Sequence, residues 1–320
     1  MSTEGGTRAI VAALAANLGI ALTKFVAFLL TGSSSMLAES VHSVADSGNQ
    51  ALLLLGGRRA KKQATPQHPF GYGRERYFWA FVVSIVLFSV GGLFALYEAW
   101  HKFQHPEPIE GTWWWLPLAV LVVSIGLESF SFRTAIRESN HVRGRQSWAQ
   151  FVRRAKAPEL PVVLLEDLAA LIGLLFALFG VGLTLLTHNG IWDAVGTALI
   201  GLLLVTVAIT LSVEMKSLLL GEAGSAENVR LIEDAIGGSN GVDRIIHMRT
   251  LHVGPEELLV AAKVAVTTTD TADEIADTIN RAELAARQAV PALTLLVYIE
   301  PDLDRGNSDR PTWDRGASRT

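Results

Sequence analysis

Across 320 residues, half are hydrophobic and only 18% are charged, with a positive mean hydropathy; soluble domains carry about 25% charged residues, so the composition excludes an ordinary water-soluble protein. A net charge of −4 gives no basic surplus for nucleic acid. The absence of cysteine excludes disulfides and thiolate ligands, which leaves His, carboxylates, carbonyls and water to hold any metal.

In chain order, apolar runs predict six membrane-spanning helices near 9–31, 36–57, 78–101, 113–135, 161–187 and 192–219. Each exceeds the ~20 residues that cross hydrocarbon. The first run, Ile10 to Leu30, has no small-residue cleavage site clearly following it and reads as a span rather than a cleavable signal. The second is the weakest by hydropathy, since it holds Glu39, His42, Asp46, Asn49 and Gln50. It is kept because apolar residues interrupt the polar ones and because dropping it spoils the charge topology. Arg58, Arg59, Lys61, Lys62, Arg74 and Arg76 lie between spans two and three; Arg133, Arg137, Arg143, Arg145, Arg153, Arg154 and Lys156 lie between four and five. The opposite loops carry one Lys among them, so the positive-inside rule puts both termini in the cytoplasm. Trp100, Trp113, Trp114, Trp115 and Trp192 mark the outer interface.

After the last span the pattern becomes that of a small α+β unit. Helices are expected at Ala226–Ile236 and Thr271–Val290, and strands at Asp243–His252, Leu258–Val266 and Leu293–Ile299. The order αββαβ suggests a ferredoxin-like split fold. The expected organisation is thus an α-helical membrane protein: a six-helix transmembrane bundle over 8–221, a cytoplasmic ferredoxin-like α+β domain over 222–303, and a disordered tail over 304–320 rich in Arg, Asp, Gly and Ser.

Inside the second span, His42 and Asp46 stand four apart and share a helix face. Titratable groups in a bilayer survive mainly where they face a bundle interior or an ion path. Imidazole beside carboxylate suits a divalent transition metal, so the pair implies a metal path through the membrane.

Leu37-Ala38-Glu39-Ser40-Val41-His42-Ser43-Val44-Ala45-Asp46 resembles the second-span motif of the cation diffusion facilitators, in which His or Asp is followed four residues later by Asp. His68-Pro69-Phe70-Gly71-Tyr72-Gly73-Arg74-Glu75-Arg76-Tyr77 is similar to that family's entry to span three, and the unit ending Tyr298-Ile299-Glu300-Pro301 to its cytoplasmic domain. The resemblance covers roughly residues 8 to 302. It implies a homodimeric exporter in the lipid bilayer that exchanges Zn²⁺, or a similar divalent ion, for protons by alternating access.

Two departures from the family pattern matter. Aligning on Leu171-Ile172-Gly173 puts Glu159 and Val163 where the fifth-span ligands usually stand. One turn deeper come Glu166 and Asp167, in a Leu-Leu-Glu-Asp arrangement that resembles the branch including eukaryotic mitochondrial zinc exporters. The expected metal ligands are therefore His42, Asp46 and Asp167, with Glu166 and Glu39 as fourth ligand or proton carriers. Glu166 has an alternative partner in Lys24, and Glu39 an alternative role as a solvated or gating residue. Glu159, at a helix start that favours a carboxylate, is left out, while Asn17, Glu98 and Glu128 are read as structural. In the soluble unit, Lys263 and Tyr298 replace the family's usual His, and His247 and His252 read as surface residues on one exposed strand. That unit is expected to dimerise without a full metal cluster.

Ligands must lose protons to bind metal, which couples the two. No Walker-type loop is present to bind ATP; the basic loops would touch anionic lipid. Two alternatives stay open: a Mn²⁺ or Fe²⁺ exporter of the same mechanism, and a membrane metal sensor or metalloenzyme, though no HExxH-type motif is present. The chain shows no clear transit peptide, which suits a bacterial inner membrane.

Overall fold

The computed structural model describes residues 3–106, 109 and 112–303, with side chains described from residue 17 onward. The expected tail, 304–320, lies outside the described residues. Two compact units form: one from the chain up to Arg59 with Glu75–Lys216, the other from Ala60–Arg74 with the residues from Ser217 on.

The first unit is helical: α1 (Thr3–Thr31), α2 (Ser34–Ala60), α3 (Glu75–Gln104), α4 (Leu116–Arg143), α5 (Trp148–Arg154), α6 (Glu159–Thr187) and α7 (Ile191–Leu220). Long apolar runs that meet lipid must satisfy their own backbone groups, which a helix does. Outward-facing Leu22, Leu29, Phe130, Leu186 and Val213 give the unit an apolar surface suited to hydrocarbon. Among the described residues, four helices are long and apolar enough to cross a membrane: α3, α4, α6 and α7. The six expected spans match six long helices in position. However, α2 is too polar to qualify by hydropathy, and only Asn17–Thr31 of α1 has described side chains.

Local sequence explains how the helices start, bend and touch. Gly32 takes φ +65° and ends α1, a left-handed position where glycine is favoured. The first turn of α2 leaves backbone N–H groups without helical partners. Asp193, in the first turn of α7, supplies the acceptors. It takes hydrogen bonds from Ser34 N (2.8 Å) and Ser35 N (3.3 Å) and from the hydroxyls of Ser33 and Ser34 (both 3.1 Å). α3 widens to a π-helical stretch at Leu87–Leu93, where a side chain on Gly92 would meet Val205 of α7 at 2.7 Å. A Cβ on Gly180 would lie 2.8 Å from Trp192 O and 3.1 Å from Gly196 Cα, so small residues let α6 and α7 approach backbone to backbone. The short α5 was not expected. Ser147 and Gln150 form a capping box that starts it, and the Arg143 guanidinium lies 4.1 Å over the Trp148 ring.

The second unit has α8 (Ala226–Gly237), β1 (Arg244–Gly254), β2 (Glu257–Ala265), α9 (Ala272–Ala289) and β3 (Thr294–Asp302), which is the expected αββαβ order. β1 and β2 pair antiparallel, β2 and β3 pair parallel, and the sheet order is β1-β2-β3. The two parallel strands are therefore direct neighbours, with no strand between them as a split unit would have. Leu258, Val260, Ala262 and Val264 alternate inward along β2 and pack against Ile232 and Ile236 of α8 and Ala282 and Ala286 of α9. The Thr271–Glu274 capping box fixes the start of α9. His252 corrects one expectation: it is buried, 2% exposed, with Nδ1 3.2 Å from Gly254 O. Its backbone N–H donates to Glu222 O, so the chain leading out of the helices covers that end of β1.

Candidate metal-ion site

One face of α2 carries Glu39, His42, Ser43 and Asp46, spaced three or four apart so that they stack along the helix. Glu39 and His42 are almost fully buried, at 0% and 1% exposure. His42 Nδ1 stands 3.4 Å from Asp46 Oδ1, yet among the described residues neither atom finds a hydrogen-bond partner, and neither do His42 Nε2 and Glu39 Oε1. Buried polar atoms in folded proteins are nearly always paired. Unmet ring nitrogens and carboxylate oxygens lining one helix face are what a cation-binding surface requires.

Other helices bring acceptors toward the same face. Asp46, Ser43 and Gln50 of α2, Glu128 and Ser131 of α4, Asp167 of α6, and Asn17 and Ile20 of α1 border one cavity of about 20 Å³. That volume holds a single water or ion. Ser131 Oγ donates to Asp167 Oδ2 at 2.9 Å and orients it, while Asn17 Nδ2 donates to Gln50 Oε1 at 3.4 Å across the rim. Three carboxyl groups thus share a space lined largely by oxygen. Among the described residues, no three His, Asp or Glu side chains close to a finished coordination sphere.

The residues picked from sequence separate into three groups. Asp46 and Asp167 border the cavity, and His42 sits beside it against Asp46. Glu166 is buried outside the cavity lining and accepts from Asn49 Nδ2 at 2.8 Å rather than from Lys24. Lys24 instead binds Glu39, with Nζ 2.9 Å from Oε2 and 2.9 Å from Ser43 Oγ. Glu39 Oε1 faces Gly173, where a Cβ would come within 2.9 Å, so the glycine leaves room for the carboxylate. Val163, at the family's usual ligand position, packs in an apolar cluster with Ala135, Phe151 and Leu164. Glu159 is tied up in an ion pair with Arg76.

Glu128, an intramembrane candidate read from sequence as structural, and Ser131, which sequence did not single out, also border the cavity. Their i, i+3 spacing on α4 was the available signal. In the second unit, Lys263 reaches Asp302 (2.6 Å) and Glu300 (3.5 Å) across the β2–β3 pair. The hydrogen bond to Asp302 holds the Lys263 ammonium above its ordinary pKa of 10.5.

Comparison with known proteins points the same way. Residues 10–220 match the cation efflux transmembrane domain. The chain is 31% identical over 265 residues to the mitochondrial proton-coupled zinc antiporter of Xenopus laevis, covering 82% of this chain and 47% of that protein. It is 27% identical over 268 residues to a metal tolerance protein of Arabidopsis thaliana (82% and 58%). With a probable cation efflux system protein of Mycobacterium tuberculosis it shares 34% identity over 129 residues (40% and 38%). The chain spans about half the length of the first two relatives. The family match runs through every helix that carries Lys24, Glu39, His42, Asp46, Glu128, Glu166 and Asp167, and the chain belongs to the cation efflux family, the cation diffusion facilitators.

Proposed function

We propose that the chain exports a divalent metal ion, zinc first, from the cytoplasm in exchange for protons. Six spans carry it, α1 and α2 included, with both termini on the cytoplasmic side. The second unit, with its mixed three-stranded αββαβ sheet, is read as a cytoplasmic dimerisation domain, as the family resemblance implies. The observation that carries this reading is the cavity shared by Asp46 and Asp167, with the unpaired His42 ring beside it. In the inward-facing state the ion displaces protons from His42, Asp46 and Asp167, and Glu128 joins them from α4. In the outward-facing state, protons from the far side compete the ion off, because protonated ligands release metal. Glu166, held by Asn49, is the better proton carrier than ligand, since reaching the cavity would cost its hydrogen bond. The zinc antiporter name of the Xenopus relative supports the ion and the coupling. That relative is named mitochondrial, so a bacterial inner membrane in particular finds no support.

The test is pH-driven Zn²⁺ flux in proteoliposomes, comparing wild type with Asp46→Ala and Asp167→Ala. Flux that requires both carboxylates is expected. Flux lost only with Asp46→Ala would move the fifth-span site back toward Glu159, and sealed vesicles without any metal flux would sink the transporter reading.

A second reading keeps the mechanism and changes the ion. The cavity is lined by carboxylate, hydroxyl and amide groups, and His42 stands beside it rather than on its wall. Oxygen-rich sites suit Mn²⁺ better than sites with two imidazoles. Competition of Mn²⁺ against Zn²⁺ flux in the same vesicles separates the two readings.

A further inference from the structure

Lys24 is 1% exposed and buried among helices that would lie in hydrocarbon, where an ammonium needs a strong reason to be. It has two partners, Glu39 Oε2 and Ser43 Oγ, each at 2.9 Å. Ser43 borders the cavity, and Glu39 lies one turn further along the same face of α2. Among the described residues, one Glu39 oxygen has no hydrogen-bond partner, and it is turned toward Gly173. A carboxylate is therefore stationed next to the ion site with half its capacity unused, while a fixed positive charge occupies the other half. A divalent ion cannot approach an oxygen that already holds an ammonium without meeting like-charge repulsion.

Resting on the ion-site reading above, we propose that Lys24 is a tethered counter-ion that keeps Glu39 out of the cargo's coordination and so sets how tightly the site holds it. The cavity presents Asp46, Glu128 and Asp167; Glu39 would be a fourth carboxylate. A transporter needs its ion bound well enough to enter and loosely enough to leave. With Lys24 in place, the Glu39 pair is neutral and the ion faces three carboxyl groups. Without it, Glu39 adds charge and a ligand, and the ion stays too long. Lys24 is thus a positioning residue that acts through Glu39.

The experiment is a double-variant cycle on the full chain in detergent, with Zn²⁺ as the probe and its Kd and the thermal midpoint both measured. Lys24→Met is expected to tighten Zn²⁺ about tenfold and to slow flux. Glu39→Gln, which leaves the ammonium unopposed, weakens binding several-fold. The pair together returns Kd to within about twofold of wild type, because neither a freed carboxylate nor an unopposed ammonium remains. A purely structural role would lower the thermal midpoint in both single variants while leaving both Kd values in place; opposite signs of the Kd shift are what it cannot give. Should Lys24→Met not fold, Glu39→Gln and the double variant still decide: a Glu39→Gln protein that binds like wild type, or a double variant that does not recover, overturns the proposal. Wild type without divalent binding overturns the ion-site reading itself.

Discussion

Each unit of the molecule sets a lysine among carboxylates, and the two lysines keep different company. Lys263, on the sheet of the second unit, spans Glu300 and Asp302 on the neighbouring strand, with water within reach. Lys24 is sealed in the helical unit with Glu39 and Ser43. Among the described residues, α2 holds five buried atoms without a hydrogen-bond partner: Glu39 Oε1, both ring nitrogens of His42, Asp46 Oδ1 and Asn49 Oδ1. The cluster on the sheet has its ammonium paired in place, one lysine between two carboxylates. The buried cluster leaves acceptors over. Unmet polarity is tolerable in a solvated loop and expensive in a bilayer, so its concentration on α2 supports the cation site proposed above.

The contrast can be broken or sharpened by substitution. The largest effect should come from Asp46→Asn or Asp167→Asn, which are expected to lower pH-driven metal flux on the order of 100-fold, whereas Asp302→Asn in the second unit leaves it unchanged. Glu128→Gln should cost about tenfold in the same assay, the lower end of what groups around a metal contribute. Ile236→Ala, in the core of the second unit, should destabilise that unit by about 2–5 kcal/mol, read as faster amide exchange along β2. Zn²⁺ affinity should not follow it. Lys263→Met is expected to leave Zn²⁺ affinity unchanged and to lower stability near neutrality, with the difference from wild type closing in alkali. Because its pKa is raised, the Lys263 contribution is complete below 10.5 and fades as pH climbs through the higher folded value. The smallest effect is acidic. Hydrogen bonds from the Thr271 backbone and side chain hold Glu274 below its ordinary 4.5, so its contribution is present above that pH and disappears as pH falls through the lower folded value. Thermal unfolding curves of wild type and Glu274→Gln should therefore differ near neutrality and converge in acid; parallel offsets at every pH would count against the cap.

Much of the fold was legible because its signals are local. Six long helices and the αββαβ order follow from hydropathy, period and turn residues, and the Thr271–Glu274 box could be read by eye. The Ser147–Gln150 box was equally readable but small beside the basic run that contains it. The π-helical stretch in α3 was not, because it pairs with Val205 and Leu204 far away in sequence. In the site, His42 and Asp46 announce themselves by spacing on one helix. Asp167 required the Leu-Ile-Gly alignment to separate it from Val163. Glu128 looked like one more polar residue in a span, since only the packing of α4 against α6 turns it toward Asp167. His252 shows the limit for strands: alternation gives a face, and what later covers that face is a tertiary matter.

The grip of Asp193 on Ser33, Ser34 and Ser35 has a mechanical consequence for the ion site. α2 is fastened to α7 at its first turn, which makes that end a pivot. Asp46 stands twelve residues along, about 18 Å away at 1.5 Å per residue. A tilt of about 10° at the pivot would carry the Asp46 carboxylate roughly 3 Å, the difference between touching an ion and missing it, while Ser34 hardly stirs. On the function proposed above, α2 would serve as a lever arm, with its leverage greatest at Asp46.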